Sequence, residues 1–134
     1  MNVEFPRGVR ERVGFGRLTP RVAAGALAAT QAADLLVTLV ALRFVPGVRE
    51  ANVVAAAAIA SFGPAVGLTA VAAVAVGGLI LVTERAASFV GSHPDGSPEA
   101  VTAVRLVGYG PMTALNVVVV VHNALLIASV HRPG

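Results

Sequence analysis

Residues 22–45 read VAAGALAATQAADLLVTLVALRFV, 24 positions with a single acid, Asp34, and a single base, Arg43, close to the far end. As a helix rising about 1.5 Å per residue the run is roughly 36 Å long, which crosses the roughly 30 Å hydrocarbon core of a bilayer with some tilt. Composition points the same way. Of 134 residues, 56% are hydrophobic and 13% charged, whereas a soluble domain carries about 25% charged residues. The charges crowd into short stretches between apolar runs, so the sequence predicts an all-α integral membrane protein. A cleaved signal peptide is the competing reading of the same run, because Ala26 and Ala28 resemble a cleavage site. The long basic region before it, the acid within it and two further apolar segments after it argue for a retained span.

Working outward, residues 1–21 hold five of the ten basic side chains, Arg7, Arg10, Arg12, Arg17 and Arg21, and the next base is Arg43. Positive charge beside an apolar span marks the cytoplasmic side, where arginines resist translocation and meet anionic headgroups. This places the chain in the cell membrane with its amino terminus cytoplasmic. The same segment read as a nucleic-acid arm lacks support elsewhere: aromatics make up 4% and tryptophan is absent, which leaves little for base stacking. The expected partner is the lipid bilayer, not nucleic acid.

On the other side, Pro46-Gly47-Val48-Arg49-Glu50 is a turn. The apolar run 51–83 that follows is divided at Gly63-Pro64. Residues 51–62 are too few to cross and are read as interfacial or partly inserted, while 64–83 form a second span. The stretch 84–99 is polar enough to be read as a solvent loop. Ser97 then caps a new helix, with Pro98 in its first turn, that runs to Val130 with an interruption at Gly110-Pro111. The expected architecture is a membrane domain over 22–130 with three transmembrane helices, at about 22–45, 64–83 and 108–130, the second and third broken or kinked at Gly-Pro, and a short tail at 131–134. Phe62-Gly63-Pro64 with Leu68 is echoed by Tyr109-Gly110-Pro111 with Leu115. This echo would fit an inverted repeat, but chance in a Gly- and Ala-rich chain is the favoured explanation.

Asp34 is the most informative residue. A charged side chain near the bilayer centre costs at least about 3 kcal/mol, so it must face protein or water. Thr30, Gln31, Asp34 and Thr38 lie one turn apart and form a polar stripe. On the third span Thr102, Arg105, Tyr109, Met112, Asn116, Val119 and Asn123 share a face if the helix continues past Pro111. Tyr109 and Asn116 are nearest in depth to Asp34, with Arg105 about two turns closer to the inner surface. Thr30, Gln31, Asp34, Thr38, Arg105, Tyr109, Asn116 and Asn123 are therefore expected to form one intramembrane polar cluster. Two readings of it stay open: interhelical glue worth about 1 kcal/mol or less per bond, or a protonatable site in an ion path.

Glu50 and Asn52 belong to the expected outer turn. Glu50 suits a helix amino terminus, and Asn52 suits bonding to its open backbone groups; the sharper alternative makes Glu50 a cation ligand at an outer mouth. Other chemistry finds little. Cysteine is absent, which removes thiolate metal sites and a cysteine nucleophile. His122 stands alone, with His93 and His131 on opposite sides of the expected topology. No phosphate-binding glycine loop and no hydrolase motif occurs, and Ser61 and Ser88 have no general base in their layer. Catalytic residues, metal and cofactors are accordingly not expected. Small residues at four-residue spacing, Gly63 with Gly67, Ala73 with Gly77 and Ala24 with Ala28, let backbones approach, and make a homo-oligomer or association with other membrane subunits feasible.

Asp34-Leu35-Leu36-Val37-Thr38, then a short turn, then Glu50-Ala51-Asn52 resembles the D-x-x-x-T and E-x-N-P pattern of a small three-span membrane family of archaea and bacteria, the domain of unknown function 5658. The likeness covers roughly Ala26 to Val130 and departs at Val53, where that family usually has proline. It implies a membrane location and a role for Asp34, Thr38, Glu50 and Asn52, without a reaction. Taken together, the sequence favours a non-enzymatic scaffold or accessory subunit acting through helix association. The alternative is an oligomeric ion or proton conduit using Asp34, with a membrane-embedded enzyme third.

Overall fold

The computed structural model describes residues 19–130; the arginines at 7, 10, 12 and 17 and the tail at 131–134 lie outside them. The described chain is helical, with α1 at Pro20–Phe44, α2 at Val53–Phe62, α3 at Pro64–Ser92 and α4 at Pro98–Val130. Three of these, α1, α3 and α4, are long and apolar enough to cross a membrane, consistent with a small membrane protein.

Each boundary has a local cause. Thr19 starts α1, its hydroxyl accepting from the Val22 N–H at 3.4 Å, with Pro20 in the first turn where its missing N–H costs nothing. The helix ends ahead of Pro46, a residue that disfavours helix in the position before it. Val45-Pro46-Gly47-Val48 then reverses the chain: the Val48 N–H donates to the Val45 carbonyl at 3.4 Å, and Gly47 takes φ +80°, the proline–glycine pattern of a type II turn. Asn52 caps α2, its Oδ1 accepting from the N–H groups of Val54 at 2.9 Å and Ala55 at 3.3 Å. Asn52→Ala should cost about 1 kcal/mol, read as a lower midpoint in reversible unfolding in mixed micelles, whereas Asn52→Ser, which keeps an uncharged cap, should cost less.

Gly63, at φ +79°, separates α2 from α3. The two helices fold back on one another, so that Gly67 of α3 sits against the backbone of Ala58 in α2. The Gly-Pro at 110–111 behaves differently. The chain stays helical across Pro111, although the proline cannot donate to the Val107 carbonyl, so the two Gly-Pro sites do not make matching broken helices.

One sequence expectation changes here and another becomes definite. The stretch 84–99 was expected to be a solvent loop, but α3 continues to Ser92 and only 93–97 connect it to α4. Glu84, Ala86, Ala87 and Phe89 are compatible with helix, and Ala87 is buried; the charge of Glu84 is met within the bundle, as described below. Residues 51–62, expected to be interfacial or partly inserted, gain a definite place: they form α2, which packs along α3.

α4 packs against both α1 and α3, and α1 also touches α3. The direction of each helix follows from its side-chain pairs. Gln31 with Asn116 and Thr38 with Asn123 share one offset of 85 residues, so α1 and α4 run parallel, meeting every seventh residue as helices in a shallow crossing do. Glu84 with Arg105 and Thr83 with Gly108 pair in opposite order, so α3 is antiparallel to α4. The core is small: Leu27, fully buried, with Ala23 and Tyr109, and Val76, Ile80 and Met112 packed around them. Outward faces carry exposed Leu36, Val74, Val118 and Leu125, as lipid-facing helices require.

Candidate functional site

The reversal at 45–48 sends the chain back along the bundle. Glu50 and Asn52 consequently line one cavity of about 230 Å³ together with Gln31, Asp34 and Thr38 of α1 and Asn116 of α4. Asp34 lies about 15 Å along α1 from Phe44 and about 21 Å from Pro20. Glu50 and Asn52 therefore do not form a separate outer turn. The segment 45–52 re-enters the bundle to the level of Asp34, and α2 carries the chain back out. The glycine turn makes the reversal possible, and the Asn52 cap starts a helix at that depth.

Within this site Glu50 is partly committed to the backbone, its Oε1 accepting from the Asn52 N–H at 2.8 Å. A carboxylate beside the amino terminus of α2 also gains from the helix dipole. Asp34 has no such commitment. Its Oδ2 accepts one long bond of 3.4 Å from Gln31 Nε2 within the same helix, and its Oδ1 is buried with no hydrogen-bond partner. Asn116, 3% exposed, donates from Nδ2 to Gln31 Oε1 at 3.2 Å, linking α4 to α1 above the Leu27 core.

The expected single cluster resolves into separate groups. Gln31, Asp34 and Asn116 form the cavity group, to which the re-entrant chain adds Glu50 and Asn52. Asn123 Nδ2 donates to Thr38 Oγ1 at 3.5 Å, two turns further along the same seam. Thr30 spends its hydroxyl on its own helix, donating to the carbonyls of Ala26 and Leu27 at 3.0 Å each. Neither Arg105 nor Tyr109 bonds to Asp34. Arg105 donates from Nε to Glu84 Oε1 at 3.1 Å and from Nη2 to Oε2 at 2.8 Å, and the buried Tyr109 hydroxyl donates to Oε1 at 2.9 Å.

Glu84 is the residue that sequence reasoning missed, because a charge at the end of an apolar run was taken for the start of a loop. One signal was present: Glu84 and Arg105 are placed almost symmetrically about His93-Pro94-Asp95-Gly96, where an antiparallel hairpin brings equidistant residues together. The physical reason for the pairing is that neither charge can stay uncompensated between helices.

No family model, no curated protein and no solved structure matches this chain.

Proposed function

We propose that this small membrane protein is a non-enzymatic conduit for a proton or small cation, with Asp34 as the binding group. One observation carries the reading. If Asp34 served to hold helices together, it would bond across to α3 or α4; instead the interhelical bonds are made by Gln31, Asn116, Thr38, Asn123 and the Glu84 pair, and Asp34, which lines the cavity, accepts one long bond from Gln31 of its own helix. A half-buried acid inside a membrane helix that contributes so little to packing is best explained by what it binds. The four residues behind the motif resemblance, Asp34, Thr38, Glu50 and Asn52, all line that cavity, which supports assigning them a common role. The amino-terminal end is placed in the cytoplasm on the strength of the arginines in 1–21.

In liposomes carrying an internal pH indicator, the wild-type chain should dissipate a pH gradient, and Asp34→Asn should remove all of its pH-dependent flux while leaving assembly nearly intact. Wild-type rates in Asp34→Asn would overturn the proposal.

The accessory-subunit reading retains one specific support. Gly77 and Gly78 on α3 have open space where a side chain would be, and small residues on such a face would let another helix approach closely. Copurification from native membranes decides it, because an accessory role requires a stoichiometric partner and a conduit does not.

A further inference from the structure

The cavity at Asp34 has walls of two kinds. Its polar part comes from Gln31, Asp34, Thr38, Glu50, Asn52 and Asn116, and its remaining wall is aliphatic, chiefly Leu68, Val71, Ala72 and Ala75 of α3 with Met112 and Leu115 of α4. Among the described residues, the titratable groups of this lining are Asp34 from α1 and Glu50 from the re-entrant segment; α3 and α4 bring none, and no Lys, Arg or His lines it. The site is thus negative from both carboxylates; Glu50 is held by the Asn52 N–H, which leaves Asp34, with one long bond from Gln31, the less constrained of the two.

These features narrow the occupant. Among the described residues no third acidic or imidazole side chain joins the two acids, so the donor set is poor for a bare divalent ion, which takes six or more oxygens or several strong ligands. Among the described residues no aromatic ring lines the cavity, so they form no cage of the kind that recognises quaternary ammonium groups. The volume of about 230 Å³ far exceeds one inorganic cation, and the aliphatic wall offers it nothing. A primary ammonium has three donors for the Asp34 carboxylate and neighbouring amide oxygens, and a short alkyl tail would cover that wall.

Resting on the reading of this cavity as a cation site, we infer that it binds a small primary alkylammonium ion, its head on Asp34 and its tail against the small residues of α3. The test uses the full chain in nanodiscs of uncharged lipid, with radiolabelled n-butylammonium as probe. Saturable binding is expected, displaced by n-propylammonium and not by n-butanol or tetramethylammonium. Asp34→Asn should weaken it about thirtyfold or more, since it strips the partner from a desolvated charge. Ala72→Leu should weaken it as well while keeping every charge, by filling the place of the tail. Absence of saturable binding, binding that survives Asp34→Asn, or equal displacement by tetramethylammonium overturns the inference. If butylammonium fails to bind while Asp34-dependent proton flux persists, this inference alone falls; if both are absent, the conduit reading falls with it.

Discussion

Gly67→Leu should destabilise the protein by more than about 3 kcal/mol and separate α2 from α3. A Cβ at Gly67 would lie 2.5 Å from the carbonyl carbon of Ala58, 2.6 Å from its oxygen and 2.7 Å from the Ile59 nitrogen. Overpacking typically costs about 1–3 kcal/mol where side chains can yield. Here the obstacle is helical backbone, so relief requires moving the whole of α2, and with it the cap at Asn52 and the position of Glu50. Gly67→Ala should act in the same direction, more weakly. Ala58→Gly should give no rescue, because the clash is with main chain; a full rescue would show that the helices meet through side chains instead. Gly77→Leu is the control, since nothing lies within 4 Å of a Cβ there, and its unfolding midpoint in mixed micelles should stay within about 0.5 kcal/mol of wild type.

The second large effect belongs to Glu84→Ala, which should cost about 2–3 kcal/mol. Removing one partner of a fully buried pair costs about 3–5 kcal/mol, and an exposed pair is worth about 0–1 kcal/mol. The side chains of Arg105 and Glu84 are 18% and 31% exposed, which places the pair between these limits. The loss has two components: the Arg105 guanidinium is left without its carboxylate, and the buried Tyr109 hydroxyl loses its acceptor. Glu84→Leu combined with Arg105→Met should recover most of the stability, because the uncompensated charge disappears, while Tyr109 remains unsatisfied. A double-mutant cycle in which the two sites add independently would show that the pair does not staple α3 to α4.

The apolar runs made the all-helical class legible, because a 24-residue run with an acid in its middle has few other uses. Ser97 and Pro98 marked the start of α4, for the chemistry of a helix amino terminus is local. The polar stripe on α1 and the face of α4 were visible as periodicity, and Gln31, Asn116, Thr38 and Asn123 do meet. Their pairing was not visible. Helical spacing says which residues share a face and leaves open which face of another helix they meet, so Arg105 and Tyr109 were placed near Asp34 when their partner is Glu84.

By itself, the sequence determined that long apolar helices exist and roughly where they start, because burial in lipid and capping depend on residues within a turn or two of one another. The turn at Pro46-Gly47 was legible too, but only the tertiary structure decided that it brings Glu50 and Asn52 to Asp34 and leaves that acid without a partner across the bundle. The reason is that a turn reverses direction by local geometry, but the depth to which the returning segment reaches is set by packing between whole helices, including the fit of α2 against Gly67 of α3.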